Sequence, residues 1–447
     1  MKHILARSWV LIAILILFCT GLFLLYGQLA LIGEDWASYP TNRHIYTDGR
    51  LTKGGKITDR NGVVLAQTVD GKREFHNDPA IRKATAHTVG DLDGFVATGV
   101  HTALWKEVTG YDPVNGVYGE GNDITLTIDA SLSVTAYNAL GSRAGTVGVY
   151  NYKTGQMLCM VSTPTFDPAE KTQKEGEKGV YVNRLLSGSY APGSVFKAVT
   201  ALSALEHLKD VSTLSYPCKR GVTIENEWLS CLGHHGDVTL EEALVHSCNA
   251  AFSQFALEVG RENLTATAEK VGFNKPLQIN GIPCTESVYD VKNANDIDFG
   301  WSGIGQHTDT VNPFQFLTFM GGIAGEGTCV WPYFVEKVGS LSGVATTLGN
   351  GKRVNMMSKD SAVVLGNMMR KAVTDHYGDG NFSGLSLCAK TGTAEIGENA
   401  TPHSWFVGFC REETKPYAFV VVVENAGSGL GAASSIAARV LKSAPTV

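Results

Sequence analysis

YAPGSVFKAVTALSALEHL, Tyr190 to Leu208, is the stretch on which the reading of this 447-residue chain turns. Pro192 and Gly193 end whatever precedes them, and from Ser194 onward apolar residues recur at helical spacing, at Val195, Val199, Leu202 and Leu205. The pattern predicts a helix with Ser194 at its N-terminus and Lys197 one turn on, facing the same way. A serine hydroxyl is a poor nucleophile until a base takes its proton. A lysine amine within hydrogen-bond reach, kept neutral by burial or by a second cation, can be that base. The pair is therefore a candidate acyl-transfer centre, although a helix cap followed by a surface lysine has the same spelling.

Two motifs further along the chain give the pair its weight. Ser247-Cys248-Asn249 is the only S-x-N in the sequence, and Lys390-Thr391-Gly392-Thr393 comes after it. Serine-lysine, serine-x-asparagine and lysine-threonine-glycine, in that order, resemble the signature set of penicillin-binding proteins and serine β-lactamases. A second Lys-Thr-Gly, Lys153 to Gly155, precedes the nucleophile helix. It reads as the tip of a hairpin, where these are ordinary turn residues.

The net charge of −6 argues against nucleic acid as a partner. Ser8 to Gly33 carries no charge and is dominated by Leu, Ile, Val and Phe, enough to span a bilayer as a helix. Lys2 and Arg7 precede it, and Glu34 and Asp35 come directly after. The charge asymmetry predicts residues 1–7 in the cytoplasm, a retained anchor over 8–33, and the remainder outside. Nine cysteines are too few for a disulfide-built fold. Cys218 and Cys231 bracket a polar, loop-like insert and are a possible disulfide. Together with His234 and His235 they fit no standard zinc spacing, and no metal is expected.

Residues 34–122 read as a small juxtamembrane domain containing a hairpin, Ile57 to Thr68, with Asn61-Gly62 supplying a type I′ turn. A strand at Asn122 to Asp129, a helix near Ala130 to Leu140 and a hairpin over Gly145 to Ser162 come next. The region between the nucleophile helix and Lys390 reads as mostly helical, with a helix-loop-helix around Ser247 (Leu240 to Gly260) and a helix at Lys359 to Val373. His307, in the glycine-rich connection Gly300 to Asn312, is given no role. Strands at Leu387 to Ile396, Ser404 to Cys410 and Tyr417 to Glu424 lead to a last helix, Ala432 to Lys442. The expected fold of 123–447 is α+β: an α/β sandwich with a central antiparallel sheet, helices on both sides and a separate helical lobe, the site lying between sheet and lobe.

From about Asp123 onward the chain is similar to the transpeptidase domain of a penicillin-binding protein, through NRLLSGSYAPGSVFK, HSCNAAF, KTGTAE and HSWFVGF. The anchor and the DRNG hairpin resemble the monofunctional class B type, and no length for a glycosyltransferase domain precedes the transpeptidase. The resemblance implies Ser194 as nucleophile, Lys197 as its base with help from the Lys390 charge, Ser247 as proton relay, and Asn249 on the donor peptide's backbone. It also implies Lys390, Thr391 and Thr393 on the terminal carboxylate of a D-alanyl-D-alanine stem, Gly392 for close approach of substrate, and Ser194 and Thr393 N–H groups as oxyanion hole. It implies no cofactor, β-lactams as inhibitors, and as partner a multi-pass membrane glycosyltransferase of the shape, elongation, division and sporulation family. A D,D-carboxypeptidase is the nearest alternative activity; a β-lactamase, a β-lactam sensor and an inactive scaffold for wall synthesis lie further off.

Overall fold

Tyr417 to Val423 is apolar at every position, which a strand can be only if both of its faces are buried. It forms the middle of a five-stranded antiparallel sheet. Tyr417, Phe419, Val421 and Val423 pack into one core, and Ala418, Val420 and Val422 into another on the opposite face. The computed structural model describes residues 2–37, 46–47, 50–112, 116–117, 121–170, 178–339, 345–349, 351–395 and 400–447.

The principal helices are α1 (Lys2–Ala37), α2 (Ala130–Leu140), α3 (Lys197–His207), α4 (Leu240–Val245), α5 (Asn249–Val259), α6 (Pro313–Ala324), α7 (Lys359–Ala372) and α8 (Ala432–Ser443). The principal strands are β1 (Ile57–Thr58), β2 (Val64–Val69), β3 (Lys72–Phe75), β4 (Ile124–Leu126), β5 (Gly145–Asn151), β6 (Met157–Thr163), β7 (Ser215–Ile224), β8 (Glu227–Thr239), β9 (Val335–Gly339), β10 (Ala345–Thr347), β11 (Leu387–Ala394), β12 (His403–Cys410) and β13 (Tyr417–Val423). The central sheet runs β6-β5-β13-β12-β11, with α2 and α8 on one face and α6 on the other. This is the expected sandwich. Lys153 to Gly155 sits on the turn between β5 and β6, with Lys153 and Thr154 exposed, away from the edge strand β11.

A second sheet, β10-β9-β4-β1-β2-β3, crosses the boundary expected at residue 122. β1 pairs in parallel with β4, and β4 antiparallel with β9 from the C-terminal half. The juxtamembrane strands are therefore finished by strands from the catalytic half. Their hairpin also departs from type I′. Gly62 has φ 83°, but Asn61 does not enter the positive-φ region, and the ladder shifts register between Ile57 and Thr58. Asp59, 1% exposed, is the reason. Its carboxylate accepts from Asn61 N (2.8 Å) and Val63 N (2.8 Å), holding the turn, and from Ala130 N (3.1 Å), docking it on the start of α2.

The region between α3 and β11 is not mostly helical. The polar stretch expected to be a loop is a long hairpin, β7 with β8, whose turn residues Glu225 (φ 48°) and Asn226 (φ 69°) are both left-handed, as a two-residue turn of primed type requires. The period-2 pattern is faint because β7 and β8 pair only with each other and stay largely exposed. β11 ends at Ala394, and Ile396 lies outside the described residues. At the N-terminus, Ile4–Leu29 of α1 has a mean hydropathy of 2.6 and is not buried against any of the described residues, as expected of an anchor helix.

Replacing Asp59 with Ala removes the acceptor of one buried and two partly buried backbone donors and should cost on the order of 2 kcal/mol. Urea unfolding followed by fluorescence is the check. Asp59→Asn, which keeps one accepting oxygen, should fall between the two.

Candidate active site

Gly193–Val195 forms a 3-10 turn that runs directly into α3, so Ser194 stands at the helix entry, half-buried, as the sequence predicts. Gly193 has φ 54°, a value that favours glycine, and a Cβ there would lie 2.6 Å from Thr393 O on β11. The approach is matched from the other side. A Cβ on Gly392 would lie 2.9 Å from Val195 Cγ1 and 3.1 Å from Pro192 O. Gly392 thus permits the contact between the edge strand and the Ser194 turn. Strand and turn meet backbone to backbone because neither carries a side chain there.

Lys197 has 0% exposure. Its Nζ lies 3.1 Å from Ser194 Oγ, 3.2 Å from Ser247 Oγ, 2.7 Å from Ser247 O and 2.6 Å from Asn249 Oδ1. The loop between α4 and α5 supplies three of these partners, as the helix-loop-helix reading requires. Ser247 reaches inward through a left-handed backbone, φ 53°. Cys248, not Asn249, caps α5, accepting from Ala251 N at 3.4 Å. Asn249 gives Nδ2–H to Ser230 O (3.1 Å), which fixes its amide with Oδ1 towards Lys197.

Lys390, also 0% exposed, reaches from β11 to place Nζ 2.9 Å from Ser247 Oγ and 3.0 Å from Thr391 O. Ser247 Oγ is the atom common to both amines. Burial pushes Lys197 down to about 8, opposed by the Cys231 and Cys248 sulfurs behind it. Burial, then repulsion from Lys197, holds Lys390 well below the ordinary lysine value. Burial is the leading cause for both amines, and their mutual repulsion disfavours carrying two charges at once.

Thr391 and Thr393 lie on the face of β11 opposite the Lys390 side chain, by strand alternation. Thr391 Oγ1 donates to Tyr377 Oη at 3.2 Å, and Thr391 N donates to the same oxygen at 3.4 Å. Thr393 is exposed. Tyr377, at the end of a short π-helical turn after α7, went unnoticed in the sequence, where nothing but its fold-dependent position marks it. All eight expected residues therefore lie on three adjoining segments, the Ser194 turn with the start of α3, the Ser247 loop with the start of α5, and β11.

The possible Cys218–Cys231 disulfide is not formed; both are free thiols. Cys231 Sγ lies instead 4.0 Å from Cys248 Sγ and accepts from Asn249 N at 3.3 Å, because a bulge in β8 turns it towards the Ser247 loop.

The chain matches the family model "Penicillin binding protein transpeptidase domain" over residues 145–444. It is similar to the peptidoglycan D,D-transpeptidase PbpA of Mycolicibacterium smegmatis, 28% identical over 435 residues that cover 88% of this chain and 88% of the relative. Among solved structures, penicillin-binding protein A of M. tuberculosis as a cephalosporin acyl-enzyme superposes with a TM-score of 0.78, at 23% identity, covering 87% of this chain and 98% of that one. A D,D-transpeptidase domain from Eggerthella lenta superposes at 0.75 with 27% identity, covering 88% and 97%. The matched segment takes in the Ser194 turn, the Ser247 loop and β11 and amounts to well over half of the chain, which therefore belongs to the penicillin-binding protein transpeptidase family.

Proposed function

We propose that the protein is a class B peptidoglycan D,D-transpeptidase, working through an acyl-enzyme on Ser194. The observation that carries the reading is the single buried amine of Lys197 in reach of both the Ser194 and the Ser247 hydroxyls. Its two shortest contacts, Ser247 O and Asn249 Oδ1, are oxygens that can only accept. A neutral amine satisfies them with its two protons, and its lone pair is left towards the hydroxyls.

Lys197 Nζ takes the Ser194 proton as Oγ bonds to the carbonyl carbon of the penultimate D-alanine. The N–H groups of Ser194 and Thr393 receive the oxyanion, an interaction of about 3 to 4 kcal/mol per donor in comparable sites. As the C–N bond breaks, the proton returns through Ser247 Oγ to the departing amine of the terminal D-alanine. The same path in reverse lets a neighbouring stem peptide's amine attack the ester and form the cross-link. The terminal carboxylate lies along the open edge of β11, where the Thr391 and Thr393 hydroxyls from one face and Lys390 from the other converge on it, and its charge draws a proton onto Lys390. Asn249 holds Lys197 in place and keeps an Nδ2 proton for the donor peptide.

The charge order around α1 supports a cytoplasmic N-terminus with the catalytic part outside. A multi-pass membrane glycosyltransferase of the shape, elongation, division and sporulation family is the partner proposed for the anchor and juxtamembrane strands.

Incubation with a fluorescent penicillin should give an adduct that survives denaturing electrophoresis, is absent in Ser194→Ala and forms at least a hundredfold more slowly in Lys197→Ala. Rapid release of the label would make the protein a β-lactamase, and no labelling of folded protein would make it a scaffold. Release of D-alanine from a stem peptide without cross-linking when an amine acceptor is supplied would favour a carboxypeptidase.

The acylation rate should rise with pH through about 8, because only deprotonated Lys197 accepts the serine proton and its folded value lies there. Stopped-flow acylation between pH 6 and 9 measures this. A flat profile would remove Lys197 from the role of base.

A further inference from the structure

Cys218 on β7, Cys231 and His235 on β8, and Cys248 at the head of α5 converge behind the Ser247 loop, with three sulfurs and an imidazole nitrogen all within 4.8 Å of one another. His235 Nδ1 lies 3.4 Å from Cys218 Sγ and 3.6 Å from Cys231 Sγ, and Cys231 Sγ lies 4.0 Å from Cys248 Sγ. Bond lengths of about 2.3 Å to sulfur and about 2.1 Å to nitrogen give a tetrahedral zinc ion edges of roughly 3.8 Å between sulfurs and roughly 3.6 Å between sulfur and nitrogen. Three of the six edges lie within about 0.2 Å of these values, and the other three are no longer than 4.8 Å. A disulfide, by contrast, brings two sulfurs to about 2.05 Å and leaves the third thiol and the imidazole facing it without purpose.

The hairpin is deformed to make this cluster. Lys219 pairs with His234 and Gly221 with Ser230, so Cys231 to Gly233 have no partners and loop out of β8 opposite Arg220. Arg220 takes φ 67° at the same point. The bulge turns Leu232 into solvent, 97% exposed, while Cys231 points inward at 9% and Cys218 at 0%. Exposing a leucine to bury a polar-edged thiol has no packing reason, and bulges re-aim side chains in this way beside functional sites. Backbone N–H groups of Asn249 and Ala251 point at the Cys231 and Cys248 sulfurs, at 3.3 and 3.4 Å, the hydrogen bonding that favours thiolates.

We propose that Cys218, Cys231, His235 through Nδ1, and Cys248 bind one structural zinc ion that fastens the β7–β8 hairpin to the Ser247 loop. Three thiols give up their protons to solvent on binding, leaving a complex of net charge −1. Three sulfurs and one nitrogen in tetrahedral array suit zinc, not magnesium or calcium. All four positions are filled by protein, so the ion has no place for substrate and its part is structural. The spacing in sequence had argued against a metal because the fourth ligand is the central residue of the S-x-N motif, which the neighbouring catalytic residues obscured. Through Cys248 the ion would fix Ser247 and Asn249, the two partners of Lys197, making the ligands positioning residues for the reaction.

The test uses the full chain purified in detergent without chelator. Mass spectrometry of the metal content should find one zinc per chain, and exchange with cobalt should give the sulfur-to-metal charge-transfer band and intense visible bands of a tetrahedral thiolate site. Chelation should expose Cys218, Cys231 and Cys248 to alkylation and slow fluorescent-penicillin labelling, and added zinc should restore both. Cys218→Ser should lose the ion while Cys284→Ser keeps it; if Cys218→Ser does not fold, the metal content and cobalt spectrum of the unaltered chain still decide. Folded, penicillin-reactive protein that lacks zinc, whether its thiols are free or two are linked in non-reduced peptides, would overturn the proposal.

Discussion

The catalytic half depends on keeping an amine out of water. Lys197 is wholly buried, and an isolated ammonium in such a place would cost several kcal/mol. The fold answers by lowering the amine's pKa to about 8 and setting beside it two carbonyl-type acceptors, Ser247 O and Asn249 Oδ1, to receive its protons. That requires the loop between α4 and α5, fifty residues further along the chain, to be held against α3 to within tenths of an ångström. The residues that do so, Ser230, Cys231 and Cys248, are not themselves catalytic.

The second requirement is closeness. Lys390 has to reach Ser247 from the sheet, so the edge of β11 must lie against the Ser194 turn. The pairing of Gly193 with Gly392 allows it, and Gly429 continues the same layer, since a Cβ there would lie 2.8 Å from Gly392 O. A methyl group at Gly193 or Gly392 would part strand and turn, and one at Gly429 would meet the sheet backbone. With strand and turn apart, the two lysines would no longer share a hydroxyl, and neither would have its pKa so lowered.

Much of this was legible in the chain. The helix at Ser194, the two-sided strand at Tyr417 and the sandwich of helices around it follow from periodicity, because each is packed on the faces that the pattern marks. The order of the motifs identified the segments that meet. Three things were not legible. The β7–β8 hairpin lacks a buried face along most of its length, so its alternation is faint. The DRNG turn is shaped by Asp59 reaching to α2, a contact seventy-one residues long that no local turn rule contains. The role of Gly392 depends on what lies opposite it, which only the fold reveals.

Ser247 is where these features meet. A non-glycine residue at φ 53° carries backbone strain on the order of 1–3 kcal/mol, and such strain persists only if the surroundings over-determine it. Ser247 N donates to Leu244 O at 3.3 Å and Cys248 N to Ala243 O at 2.9 Å, which fastens the entry to the end of α4. The exit is fastened by the Cys248 cap and by the sulfurs behind it. In the left-handed form the Ser247 carbonyl and hydroxyl both face Lys197, so one residue supplies two of the four contacts of the buried amine. An extended Ser247 could not present both at once to one amine, since successive groups of an extended chain point apart. The hairpin thus bears on the site from a distance: its bulge brings Cys231 to the loop, and the loop holds the strained residue that the two lysines share.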